Sequence, residues 1–176
     1  MSNEEALSVL FRRGGVYYGL PGTKPGEVLR ALVAAVPLAR GPASGGGDSG
    51  NPRGGPDSGG GGDRLLKAVL EREELLSTAM GNGIALPHPR NPVIERGEDQ
   101  FAALAFTENP VDWGALDGRP VGVVILAVSA SAKAHLSSLQ RITFFCRDEG
   151  FCRLLDSRAP AEAIFDYVEK TEAEWG

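Results

Sequence analysis

Apolar residues recur along this chain in two rhythms. Val28, Leu29, Leu32, Val33 and Val36 follow helical spacing. Thr23 and Pro25 give that helix a start, and Pro37 gives it a stop. Leu65, Leu66, Val69 and Leu70 draw a second helical stripe, with Asp63 as its expected cap. Gly83–Pro87, Phe101–Phe106 and Val121–Val128 read as strands. Ser131–Asp148 reads as a helix with Leu136, Leu139, Ile142 and Cys146 on one side. Pro160–Lys170, carrying Ile164, Phe165 and Val168, reads as the last helix. Upstream, Gly15–Gly22 is a short extended or turn segment. Helices and strands alternate, which predicts a layered α/β domain. No internal repeat is visible.

The pattern breaks once. About half of the 24 glycines fall in the tract 41–62, which has almost no apolar residue. Such a stretch cannot bury enough surface to offset its ordering entropy, so a flexible insertion is expected there. A phosphate-cradling P-loop would need Lys-Ser/Thr opening a helix after the glycines. Gly62-Asp63-Arg64-Leu65 lacks that pair. Loop closure entropy grows slowly with length, so the tract need not divide the chain. The expectation is one domain over 1–176, interrupted at 41–62.

Composition narrows the class. The 176 residues carry 18 basic and 23 acidic side chains, a net charge of −5, and 42% are hydrophobic. That is enough for a core, and it gives no electrostatic footprint for nucleic acid. Two cysteines, Cys146 and Cys152, provide neither a disulfide framework nor zinc-site spacing, which suits a reducing compartment. The N-terminus has no signal-peptide core, and no apolar run approaches the roughly 20 residues needed to span a bilayer. A cytoplasmic protein without membrane insertion is expected.

The chemistry concentrates between Glu71 and Arg90. His88 stands between Pro87 and Pro89, so its ring is carried on a stiff, extended segment. A metal site would need more ligands, and the chain has only one other histidine. Serine hydrolysis would need an elbow of the G-x-S-x-G type, and none is present. Upstream, Gly81, Asn82 and Gly83 can expose backbone amides, and Ser77, Thr78 and Arg72 can donate to phosphate oxygens. A nucleophilic histidine beside phosphate donors points to phosphohistidine chemistry. Plainer readings stand beside this one. Arg72 could pair with Glu71 or Glu73 on a charged helix end. Ser77 and Thr78 could bond only the backbone, and Asn82 and its glycines could serve only turn geometry. Trp113 and Phe101 read as packing.

The run R-E-x-x-x-S-T-x-x-G-x-G-I-A-x-P-H, from Arg72 to His88, resembles the signature of phosphotransferase-system enzyme IIA domains of the fructose/mannitol/nitrogen-regulatory type. Gly15–Leu29 is similar to that family's first strand and helix, Ala115–Val121 to its pre-strand turn, and Ala134–Leu139 to its second histidine motif. The resemblance implies a single-domain mixed β-sheet flanked by helices on both sides. It implies that His88 accepts a phosphoryl group from an HPr-type phosphocarrier, with Arg72 and His135 assisting. Ser77, Thr78, Asn82 and Gly83 are the expected phosphate-binding set, with no metal and no cofactor.

The chain departs from the family pattern at the glycine tract, where a short connection is usual, and at Pro89, where a small residue is common. The nitrogen-regulatory branch fits best, with phosphorylation controlling the binding of target proteins. The alternatives are a sugar-transport component passing the phosphoryl group to a IIB domain, and a binding module that no longer transfers it.

Overall fold

The computed structural model describes residues 5–40 and 60–175. At its centre two strands pair antiparallel: β4, Phe101–Val111, and β5, Val121–Val128, with Phe101 opposite Val128 and Leu104 opposite Ile125. The sheet order is β1-β4-β5-β3-β2, where β1 is Val16–Leu20, β2 is Ala79–Gly81 and β3 is Ile84–Ala85. β1 runs parallel to β4 and β3 parallel to β5, whereas β2 and β3 form an antiparallel hairpin, so the sheet is mixed.

Strand side chains alternate between faces, so the nearly unbroken apolar β4 and β5 feed two cores at once. Leu104, Phe106, Ile125 and Ala127 join one core, covered by α1 (Leu7–Gly14), α4 (Ala132–Phe145), α5 (Glu149–Asp156) and α6 (Ala161–Ala173). Ala103, Ala105, Val124 and Leu126 join the other, covered by α2 (Pro25–Ala35) and α3 (Gly61–Leu75). This is the mixed sheet with helices on both sides.

Several boundaries differ from the sequence expectation. α1 and α5 escape it altogether, because a helix of about two turns repeats too few apolar positions to establish a period. The helix expected over Ser131–Asp148 ends at Phe145, and Asp148 then caps α5 by accepting from the Phe151 amide at 2.7 Å. Leu136 is 60% exposed instead of facing the core. The strand expected at Gly83–Pro87 is shortened to β3, the second arm of a hairpin whose tight turn is made by Asn82 and Gly83 at φ 54° and 75°. Asp63 is not the cap of α3; Gly60 is, and Asp63 sits in the first turn, where a carboxylate favours the positive helix end. Of the tract 41–62, residues 41–59 lie outside the described residues, and Gly61 and Gly62 begin α3.

Gly14 ends α1 where the helix lies against β4. A Cβ there would overlap the Ala102 carbonyl oxygen. Gly14→Ala is therefore expected to lower unfolding free energy by about 2 kcal/mol, as overpacking does. Urea titration checks this; a loss below about 0.5 kcal/mol would show that α1 shifts freely away from the sheet.

Candidate active site

The parallel pairing of β3 with β5 sets the site. Ile84 lies opposite Val123 and Ala85 opposite Val124. The ladder runs on to an Ala127 amide donating to the Pro87 carbonyl at 3.1 Å, so His88 leaves the sheet level with the end of β5. Pro87 has no amide to give, yet its carbonyl still serves the ladder. His88 Nδ1 lies 2.8 Å from the Leu86 carbonyl oxygen. A carbonyl only accepts, so the neutral ring carries its proton on Nδ1 and its lone pair on Nε2.

β5 then turns through Ser129–Ser131 into α4. Ser131 caps that helix by accepting from the Ala134 amide, and the His135 amide donates to the Ser131 carbonyl at 2.9 Å. The opening of α4 thus presents His135 to His88, with ring centroids 5.1 Å apart and planes inclined at 53°. Both rings are half-buried. Burial pushes the His88 pKa below its usual 6.5; the positive Arg72 adds to this, and the Leu86 carbonyl opposes it. His135 is lowered by burial, then by His88 and by Arg72. The positive end of α4 works in the same direction. Two neutral imidazoles therefore stand together under the field of one arginine.

Arg72 lies in the last turn of α3 and donates to the Leu76 carbonyl at 2.8 Å, so it also closes its own helix. Glu73, one of the two carboxylates offered as its ion-pair partner, is engaged elsewhere. It accepts from the Thr78 amide at 2.8 Å, from the Thr78 hydroxyl, and from the Trp113 indole at 3.0 Å. Sequence reasoning missed this role for Glu73. The one available signal was the need of a buried indole N–H for an acceptor.

The Ser77 hydroxyl donates to the Trp113 carbonyl at 2.6 Å and accepts from the Ala79 amide. The Ser77 hydroxyl therefore braces the backbone at Trp113 and Ala79, while the Thr78 hydroxyl is taken by the Glu73 carboxylate. Asn82 and Gly83 are not brought to His88. The Gly83 carbonyl accepts from the Gly122 amide at 2.9 Å, while Pro87 pairs with Ala127. Five strand residues separate those rungs, roughly 16 Å. Among the described residues, no group of three or more His, Cys, Asp or Glu could hold a metal ion. The Cys146 thiol is pushed up to about 12 by burial and the neighbouring Cys152, so it is no nucleophile near neutrality.

A mixed sheet that delivers two facing histidines at one end of parallel strands defines a class, and comparison with known proteins gives the family. A model of the family described as phosphoenolpyruvate-dependent sugar phosphotransferase system, EIIA 2, matches residues 58–171. The chain belongs to that family.

It is 35% identical over 106 residues to a nitrogen regulatory protein of Bradyrhizobium diazoefficiens, covering 59% of this chain and 67% of the relative. It is 31% identical over 113 residues to that of Escherichia coli K12, covering 61% and 66%. The aligned part is thus about two thirds of those relatives' length. Among solved structures, nitrogen regulatory protein IIA-Ntr of Neisseria meningitidis superposes with a TM-score of 0.65 at 20% identity, covering 87% of this chain and 91% of that one. Enzyme IIAMTL of Escherichia coli, in its complex with phosphorylated IIBMTL, gives 0.57 at 15% identity, covering 88% and 94%. These two show the shared fold. No helix among the described residues is long and apolar enough to cross a membrane.

Glu73→Ala is expected to destabilise the protein by about 2–3 kcal/mol, because it strands a buried indole donor and the Thr78 groups. Arg72→Gln should cost under about 1 kcal/mol, since it loses one exposed hydrogen bond. Denaturant unfolding ranks them, and the reverse order would refute this assignment of roles.

The two histidines also make a clean titration. Both folded pKa values lie below 6.5, so the unfolded chain binds more protons just below that pH. Stability is therefore expected to fall as pH drops from 6.5 through the folded values. Arg72→Gln should move both titrations up toward 6.5, as read from the imidazole proton resonances. Unmoved midpoints would show that its charge does not reach the rings.

Proposed function

We propose that His88 accepts a phosphoryl group at Nε2 from the histidine of an HPr-type phosphocarrier. The facing, neutral His88–His135 pair beside Arg72 is the observation that carries this reading. The donor's N–P bond breaks as a new N–P bond forms at Nε2, and the donor nitrogen keeps the electron pair. Nε2 carries no proton, so none has to leave. Arg72 balances the charge of the transferring group, and His135 positions it with a neutral ring. Such a transfer needs positioning and charge balance more than covalent chemistry from the protein. Any enzymatic activity is then of the transferase type.

Three exposed leucines support a protein partner. Leu75 and Leu76, 65% and 71% exposed, follow Arg72 at the end of α3, and Leu136, 60% exposed, follows His135. Apolar side chains rimming a charged centre are what a docking partner covers. The phosphoryl group adds nearly two negative charges to that rim, so its presence changes which proteins bind there. The relatives named for nitrogen regulation favour this regulatory role, and the same reading has the protein act in the cytoplasm.

A second reading is a sugar-transport component that passes the group to a IIB domain. The complex of IIAMTL with phosphorylated IIBMTL, a protein of the same fold, favours it. A third, a module that binds partners without transfer, predicts no labelling at all.

Incubation with a phosphocarrier and its phosphorylating enzyme is expected to place acid-labile phosphate on His88. His88→Ala should abolish it, and Arg72→Ala should slow it by about a hundredfold, the scale for losing one preorganised charge contact. Label retained in His88→Ala would refute the acceptor assignment, and rapid onward transfer to a IIB domain would refute the regulatory role.

A further inference from the structure

Asn82 and Gly83, remote from His88, border a feature of their own. Two adjoining cavities of about 200 and 260 Å³ open beside the β2–β3 hairpin and share Asn82, Arg119, Val123, Leu155 and Asp156 as walls. Arg158, Gly122 and Phe106 are among the further walls of the second. These volumes fall below the range of drug-sized sites, so an occupant would be small.

Their polar lining is arranged at a conformational cost. Asn82 and Arg158, at φ 54° and 49°, are the two non-glycine residues with positive φ among the described residues, and both line this space. Asparagine tolerates that backbone well; arginine does not. Arg158 follows the end of α5, with its amide donating to the Leu155 carbonyl and the Ala159 amide to the Leu154 carbonyl. Glycine is the usual residue at that position of a helix end. An arginine held there delivers a guanidinium to the cavity. Gly122, in β5, leaves open space where a Cβ would stand. A strand glycine of that kind lets a ligand approach the backbone.

Each guanidinium makes a local contact: Arg119 donates to the Asn82 side-chain oxygen at 3.3 Å, and Arg158 to the Thr107 carbonyl at 3.0 Å. A guanidinium carries five N–H donors, so neither contact is incompatible with a carboxylate. Asp117, next to Arg119, accepts from the backbone amides of Asn82 and Arg119. Asp156 is the one carboxylate among the lining residues, which also include two arginines. The remaining walls include Ile84, Val123 and Leu155.

We propose that this cavity, at the end of the sheet opposite His88, binds a small monocarboxylate with an apolar body, held by Arg119 and Arg158. With Asp156 in the same lining and Asp117 close to Arg119, a single negative charge suits the two arginines better than a phosphate dianion does. The apolar walls take the carbon chain. The proposal is independent of the phosphoryl reading, because the two places share no residue.

Amide NMR titration of the protein with hexanoate tests it. Saturating shifts are expected at residues 82–84, 119–123 and 152–158. Arg119→Gln and Arg158→Gly should each weaken binding about tenfold or more, as loss of a charge-assisted contact does. Glycine suits the backbone at 158, and Arg119 is exposed, so at least one variant stays folded. Hexylamine and inorganic phosphate should bind more weakly than hexanoate. Absence of saturable shifts, unchanged affinity in both variants, or a preference for either of those two probes would overturn the proposal.

Discussion

The parallel pairing of β3 with β5 is the contact on which the rest of the arrangement depends. β3 has only two strand residues, yet its register with Val123 and Val124 sets the height at which His88 leaves the sheet. Because the strands run the same way, both chains exit at the same end: one into Pro87-His88-Pro89, the other into α4 and His135. An antiparallel pairing would have sent the two histidines to opposite ends. Ligands of open α/β sheets gather beyond the carboxyl ends of parallel strands for this geometric reason. The same pairing carries Asn82 and Gly83 to the other end, which separates them from His88 although they stand only six and five positions before it in sequence.

Glu73 makes the second decisive contact. Its carboxylate gathers the Thr78 amide, the Thr78 hydroxyl and the Trp113 indole, and so ties the end of α3 to the hairpin and to the chain beyond β4. Arg72 precedes it, and its position relative to the histidines follows from that tie. A half-buried carboxylate with three donors is stable where an unpaired one would be costly. The adjacent charged pair Arg72-Glu73 thus divides its labour: the acid braces the structure and the base faces the imidazoles electrostatically.

Much of this was legible in the sequence, for identifiable reasons. Val121–Val128 shows its strand because eight successive positions are buried or nearly so on both faces, and α2 shows its stripe because it is long enough to repeat. His88 stands out because two prolines frame it. The failures are equally specific. Leu136 fits the helical period but sits on the exposed side, since periodicity marks a face without saying what covers it. Ser77 and Thr78 have the right chemistry for phosphate, but Trp113 and Glu73, 36 and 5 residues away, claim their hydroxyls. Asn82 and Gly83 are near His88 in sequence, yet an extended strand converts five residues into roughly 16 Å. Long-range partners and strand direction are what a linear reading lacks.

The state of the two imidazoles links the architecture to the proposed chemistry. A phosphoryl acceptor needs a free lone pair, which means a neutral ring; a transferred phosphoryl group needs positive charge nearby. Placing a cation beside a histidine serves both needs, since Arg72 lowers both imidazole pKa values and would balance the incoming anion. Half-burial is the larger cause of both shifts, but it also leaves water to screen Arg72. A partner seated on Leu75, Leu76 and Leu136 would remove that water, and charge interactions strengthen as the local dielectric falls. Under the phosphoryl reading, docking therefore does more than bring the donor close. It completes the environment in which Nε2 is both unprotonated and faced by an unscreened positive charge, so transfer is favoured inside the complex and disfavoured for the free protein.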